Sequence, residues 1–247
     1  MAPIFEKITI IGMGLIGSSI ALATRRAELA TSICGCDAGP DIEERVTKLS
    51  LVDKFEVDPG RAVADADLVI MAVPVGAMAD LSAKIVPHME QGAILSDTGS
   101  TKRSVVRDVG PHVSDAIHWV PSHPLAGTEH SGPEAGMADL FDGRYWLVLP
   151  LDAPEEVVAK FESFVTGLGS VSERMDADYH DKVTALTSHL PHLIAYTIVS
   201  TAVDLETQLK NDVIRFSASG FRDFTRLASS DPVMCRGVCL KHDAAVL

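Results

Sequence analysis

Along the first two thirds of the chain, apolar residues come in short unbroken runs separated by longer amphipathic stretches. The runs at 7–12, 32–37, 68–73, 93–96, 117–120 and 145–149, with a seventh at 170–174, read as strands. Several are apolar throughout rather than alternating, most plainly Leu68-Val69-Ile70-Met71-Ala72-Val73. Strands buried on both faces of a parallel sheet read this way. The stretches from Gly39 to Leu51 and from Gly76 to Val86 carry helical spacing and turn signals. This βαβ rhythm predicts an α/β fold with a doubly wound, mainly parallel sheet and right-handed crossovers.

After Pro150 the texture changes. Glu155 to Gly167 reads as one helix, ended by Gly167 and Gly169. From Ala177 the strand signals fade, leaving a helical pattern from Ala177 to Leu209 and a shorter one after Asp231. The expected organisation is a domain over 1–175 and an all-α domain over 176–247, divided near Met175. The junction is not Gly/Ser-rich, so the helical part is expected to pack firmly against the sheet domain.

The first apolar run leads into Gly12-Met13-Gly14-Leu15-Ile16-Gly17 and then a small-residue helical segment. In a strand–turn–helix of this kind Gly12 permits the turn. Gly14 lets the backbone approach a pyrophosphate, and Gly17 lets the helix pack close to the strand. The N–H groups of Leu15 and Ile16 at the helix start then face the phosphates. Asp37 ends the next apolar run, where a carboxylate accepts hydrogen bonds from a ribose 2′-hydroxyl and repels a 2′-phosphate. The sheet domain is therefore expected to be of Rossmann type, with NAD as its cofactor.

Composition narrows the partners. The formal charge of −13 and the absence of a dense Lys/Arg run argue against nucleic acid or an anionic membrane. The start, Met-Ala-Pro-Ile-Phe-Glu-Lys, leaves no room for a signal peptide, and no apolar run is long enough to span a bilayer. Cys34 and Cys36 share a strand face, and Cys235 and Cys239 share a helix face. Neither pair has further ligands at a metal-site spacing, so both are read as reduced thiols, with no metal, in a cytoplasmic protein.

Ligands of an open parallel sheet bind beyond the carboxyl ends of its strands, so the loops there carry the candidates. Pro74-Val75-Gly76 follows the third long run, and its backbone could line the adenosine path. Asp97-Thr98-Gly99-Ser100-Thr101-Lys102 is dense in hydroxyls; Asp97 and Thr98 serve either the cofactor or the cap of the next helix. In Ser122-His123-Pro124, the proline biases His123 toward extended backbone at a strand end. Histidine suits removal of an alcohol proton near neutral pH. In the second half, His189 and His192 fall on one helical face around Pro191. Arg222 and Arg226, four apart, could hold a carboxylate in paired hydrogen bonds or make surface ion pairs with nearby aspartates.

Taken together, Gly12-x-Gly14-x-x-Gly17, Val73-Pro74, Asp97-Thr98-Gly99-Ser100-Thr101-Lys102, His123-Pro124-Leu125-Ala126-Gly127-Thr128-Glu129-His130-Ser131-Gly132, Ser188-His189-Leu190-Pro191-His192 and Gly220-Phe221-Arg222-Asp223-Phe224-Thr225-Arg226 resemble the prephenate/arogenate (cyclohexadienyl) dehydrogenase family. The resemblance covers nearly the whole length. It implies an NAD-dependent oxidative decarboxylation in tyrosine biosynthesis, in a homodimer: hydride leaves the ring carbinol carbon, carbon dioxide is lost and the ring becomes aromatic. By resemblance His123 is the base at the ring hydroxyl and Ser100 its partner there. Arg226 holds a substrate carboxylate with Arg222 as helper. His189 or His192 lines the substrate pocket, and Thr128 and Glu129 line the side-chain end of the substrate. The alternatives are a β-hydroxyacid type of dehydrogenase, which the His-Pro-x-Ala-Gly segment speaks against, and a dinucleotide-binding regulatory module without catalysis.

Two features depart from the family pattern. Where relatives carry Met-Trp and then Arg-Asp after the Asp-Pro, this chain has Asp231-Pro232-Val233-Met234-Cys235-Arg236-Gly237-Val238-Cys239. It also stops at Leu247, where relatives continue through helices that help to build the dimer. The expected helical domain is therefore a shortened one or part of a longer one.

Overall fold

The computed structural model describes residues 2–205 together with 209, 211–212, 215–216, 219–229 and 236. By its contacts the chain divides into two compact units, Met1–His180 and Asp181–Leu247.

In the first unit, β1 (Phe5–Ile11), α1 (Leu15–Arg26), β2 (Ala30–Cys36), α2 (Ile42–Lys48), β3 (Lys54–Phe55), α3 (Pro59–Ala62), β4 (Leu68–Met71), α4 (Met78–Ile85), β5 (Ile94–Asp97), α5 (Lys102–Val109) and β6 (His118–Trp119) follow in turn. The strands form one six-stranded sheet in the order β3-β2-β1-β4-β5-β6, with all pairs parallel. This is the doubly wound order with its switch point between β1 and β4, the crevice in which such sheets bind dinucleotides.

The unbroken apolar runs have a direct cause. Successive residues of β1, β4 and β5 point to opposite faces, and both faces are covered. Ile8, Ile10, Leu68, Ile70 and Ile94 enter one core cluster with Ile20 of α1. Ile11, Val69, Met71 and Leu95 enter a second with Met78 and Ile85 of α4 and Val105 of α5.

The strands expected at 145–149 and 170–174 are present as β8 (Tyr145–Val148) and β9 (Val171–Arg174), but they do not extend the parallel sheet. With β7 (Ser122–Pro124) they make a three-stranded sheet, β7-β8-β9, in which β7 and β8 are antiparallel and β8 and β9 parallel. Pro121 lacks the N–H needed to continue the β6 ladder, and the chain leaves the sheet there. The carbonyl of Pro121 instead accepts from the N–H of Leu149 at 2.9 Å. The helix α6 (Glu155–Gly167) has the bounds expected from sequence, and Val158, Phe161, Phe164 and Val165 on it are fully buried. Arg174 on β9 is held by Glu155 and Glu162 of α6 at 2.7 and 2.6 Å.

The second unit takes up the end of α7 (Ala177–Thr184), a π-helical turn over Ala185–His189, α8 (Leu190–Val203) and a helix over Ser219–Leu227. The helical pattern expected from Ala177 to Leu209 is divided at the π turn just ahead of Pro191. Pro191 cannot donate to the carbonyl four residues before it, and the helix widens just ahead of it. The expected helix after Asp231 and the cysteines Cys235 and Cys239 lie outside the described residues.

Candidate functional site

The glycine loop is built by steric exclusion. Gly12 has φ +98°, and a Cβ there would stand 2.3 Å from the carbonyl oxygen of Ala72. A Cβ on Gly17 would stand 1.9 Å from the carbonyl oxygen of Gly12. Both contacts are with backbone, which cannot swing aside. Gly14, the residue before α1, differs: a Cβ there would meet nothing within 4 Å. No side chain caps α1, so the first N–H groups of the helix, including those of Leu15 and Ile16, are presented at its end. An open glycine beside an uncapped helix start is what a pyrophosphate requires.

Asp37 lies one residue past β2. One of its oxygens accepts from the N–H of Met13 in the loop, the other from the N–H of Gly39, both at 2.8 Å. These bonds aim the carboxylate over the loop and leave lone pairs for ribose hydroxyls. Val73 and Pro74 follow β4 beside the same loop: the N–H of Ala72 donates to the carbonyl of Ile11 at 2.7 Å, and Val73 is half-buried. The residues present therefore fit a dinucleotide bearing a free ribose 2′-hydroxyl.

Beyond β5 the structure is more specific than the sequence. Asp97 is fully buried, and its carboxylate is taken up by the protein. It ion-pairs with Lys102, also fully buried, and accepts from the N–H groups of Gly99 at 2.8 Å and Ser122 at 3.3 Å. Asp97 thus anchors its own loop and does not cap α5, whose N-cap residue is Thr101. Thr98 is half-buried, its N–H donating to the carbonyl of Met71 at 3.1 Å, and Ser100 is half-buried in the same loop.

The anchor extends to β7. The Lys102 ammonium also donates to the carbonyl of Ser122. The Ser122 hydroxyl donates to the carbonyl of Asp97 at 2.7 Å, accepts from the indole N–H of Trp146 at 2.9 Å and lies 3.1 Å from the Ser96 hydroxyl. Ser122 is thereby fixed on the buried face of β7. His123 alternates to the opposite face, paired in register with Leu147. The strand carrying His123 is thus tied to the loop carrying Ser100.

His123 has a partner that the sequence did not mark. Its Nδ1 lies 2.9 Å from Nε2 of His180, which is fully buried. The two positions are 57 residues apart, so no local spacing joins them. Lys102 and Ser122 stand inside the motifs read from sequence, but neither had a role assigned; a lysine five residues after an aspartate carries no sign of burial.

Thr128 and Glu129 are exposed in the loop after β7. The Thr128 hydroxyl accepts from the N–H of His130 at 3.2 Å, and Glu129 lies 3.8 Å from the His130 ring. In the second unit His189 is buried in the π-turn, while Nδ1 of His192 donates to the carbonyl of Ser188 at 2.8 Å, leaving Nε2 as its acceptor. Arg226 is exposed on the helix Ser219–Leu227; the side chain of Arg222 lies outside what the structure describes.

Among the described residues no group of three His, Cys, Asp or Glu side chains could hold a metal ion, and no helix is long and apolar enough to cross a membrane. Cys34 and Cys36 are free and buried, and burial pushes the Cys36 thiol up to about 12.

Comparison with known proteins gives concordant results for both units. Residues 20–174 match the family described as prephenate dehydrogenase, nucleotide-binding domain, and residues 176–247 match prephenate dehydrogenase, dimerization domain. The chain is 38% identical over 245 residues to a cyclohexadienyl dehydrogenase of Zymomonas mobilis, covering 99% of this chain and 83% of that protein. It is 33% identical to a prephenate dehydrogenase of Lactococcus lactis, covering 98% of this chain and 66% of that one. Among solved structures it resembles prephenate dehydrogenase from Aquifex aeolicus in complex with hydroxyphenyl propionate and NAD+. That match has a TM-score of 0.88 and 28% identity, covering 98% of this chain and 84% of the other.

Proposed function

We propose that this chain, which belongs to the prephenate dehydrogenase family, catalyses the NAD-dependent oxidative decarboxylation of prephenate, of arogenate or of both. The products are 4-hydroxyphenylpyruvate and tyrosine respectively. The observation that carries the reading is the pairing, within one unit, of a dinucleotide-shaped glycine loop under Asp37 with a histidine on β7, a strand tied through Ser122 to the loop that follows β5.

Labour divides between a dinucleotide-binding domain over 1–175 and a helical substrate-binding and dimerisation domain over 176–247. Gly12, Gly14, Gly17, Leu15 and Ile16 form the phosphate cradle, Asp37 holds the ribose, and Val73, Pro74 and Thr98 line the cofactor path. When bound, NAD supplies the hydride acceptor. His123 takes the ring hydroxyl proton at Nε2 as the carbinol C–H electron pair departs as hydride. The bond to the ring carboxylate then breaks, its electrons aromatise the ring, and the proton on His123 returns to the phenolate oxygen. His123 thus ends the cycle neutral, and atoms and charge balance without another co-reactant.

Ser100 hydrogen-bonds the same hydroxyl. Arg226, with Arg222 as helper, supplies the cation that a dicarboxylate substrate needs in a protein of net charge −13. His189 or His192 lines the pocket, and Thr128 and Glu129 meet the substrate side chain, where keto and amino groups distinguish the two substrates. The match to a dimerization domain supports a homodimer, and free thiols at Cys34 and Cys36 support a cytoplasmic setting.

The test is turnover with NAD on each substrate, following NADH absorbance and carbon dioxide release. Equimolar NADH and carbon dioxide from at least one substrate is expected. NADH formation without carbon dioxide, or none from either substrate, overturns the proposal.

A further inference from the structure

The histidine pair says more about His123 than its position does. His123 Nδ1 and His180 Nε2 are 2.9 Å apart, with ring centroids 5.1 Å apart and planes inclined at 57°. Both rings are held from behind. His123 is fixed by the β7–β8 register and by the lattice around Ser122. His180 sits in the first turn of α7, where Asp176 caps the helix: its carboxylate accepts from the N–H of Tyr179 at 2.8 Å and its carbonyl from the N–H of His180 at 2.9 Å. The ion pair of Arg103 with Asp178 at 3.1 Å ties that turn to α5.

A hydrogen bond between two imidazoles requires that one of the facing nitrogens carry a proton and the other a lone pair. If His180 Nε2–H were the donor, neutral His123 would carry its own proton on Nε2. It would then present a donor to a substrate hydroxyl, and it could not take the proton. If His123 Nδ1–H is the donor, Nε2 of His123 is the lone pair. Only the second arrangement makes a base, and it remains intact when His123 becomes an imidazolium, because Nδ1–H goes on donating to the same acceptor.

We propose that His180 is the positioning residue of this enzyme: its Nε2 accepts from Nδ1–H of His123, fixing the tautomer and ring orientation that leave Nε2 of His123 as the base. A neutral imidazole stands here where many His-dependent enzymes place a carboxylate. His180 gains and loses no proton in the cycle and does not touch the substrate. The inference rests on the reading of His123 as the base, but its first readout does not require turnover.

The test uses the full chain with 15N-labelled histidine and NMR detection of the ring nitrogens, the His123 signals being those lost in His123→Asn. The native protein is expected to show His123 protonated at Nδ1. His180→Leu is expected to shift it toward the Nε2–H form and to lower kcat at least ~10-fold, with KM and NAD affinity within about twofold. His180→Gln, whose Oε1 can accept the same hydrogen bond, is expected to recover most of both losses. It also serves if the leucine variant does not fold. An Nε2–H tautomer for His123 in the native protein, or an unchanged kcat in His180→Leu, overturns the inference. Full turnover by His123→Asn would instead overturn the reading beneath it, while the tautomer measurement would stand.

Discussion

Lys102 ion-pairs with Asp97 where neither side chain reaches water, and the same ammonium holds the carbonyl of Ser122, the residue before His123. A buried pair of this kind adds little over an apolar pair of the same shape, but losing one partner leaves a charge stranded. Lys102→Met is therefore expected to destabilise the protein by about 3–5 kcal/mol in chemical denaturation. The double variant Asp97→Asn with Lys102→Met should lose less than the two single losses added together. A single-variant cost below ~1 kcal/mol would be that of an exposed pair and would contradict the burial.

Gly17 and Gly14 of the loop should separate by substitution. Alanine at Gly17 puts a Cβ 1.9 Å from backbone and is expected to cost ~1–3 kcal/mol or more. Alanine at Gly14 meets no protein atom within 4 Å, so stability should stay within about 1 kcal/mol. NAD affinity should nevertheless fall at least ~10-fold in Gly14→Ala, because the added methyl occupies space left for the pyrophosphate. Calorimetric titration of both variants checks this; unchanged NAD affinity in Gly14→Ala would contradict the cradle.

Asp37 should set the choice between NAD and NADP. With Asp37→Ser the carboxylate that repels a 2′-phosphate is gone, and so are its bonds to the N–H groups of Met13 and Gly39. The ratio of NADP to NAD use is expected to rise by about tenfold or more, equivalent to ~1.4 kcal/mol. An unchanged ratio would remove Asp37 from cofactor selection.

Much of this was legible in the chain because it was local. The glycine loop, Asp37 twenty residues after Gly17, the both-face-buried strands and the bounds of α6 each announce themselves within a window of one element. What was not legible was pairing at a distance. β7 is three residues long with a proline in it, and its partner β8 lies some twenty residues on, so nothing in Ser122-His123-Pro124 marks a second sheet. The burial of Lys102 and the pairing of His123 with His180 follow from that sheet and from α7, and they became visible only with it.

Acid should act on the loop after β7 in a defined window. The Arg45 guanidinium beside Glu134 holds that carboxyl down at about 2, against an ordinary value of 4.5. A depressed carboxylate contributes stability above its unfolded pKa and loses it as pH falls through the folded one. The difference in Tm between the native protein and Glu134→Gln should therefore be constant above pH 4.5 and close as pH falls toward 2. Both groups are exposed, so the difference should also shrink with added salt. A gap as wide at pH 2 as at pH 6 would contradict the pairing.

The most direct test of the whole account is the turnover of His123→Asn with NAD and the preferred substrate, measured beside its NAD affinity. The expected result is a loss of ~10²–10⁴-fold in kcat with NAD affinity unchanged, since the base is removed and the glycine cradle is not. Turnover at the native rate would contradict the account.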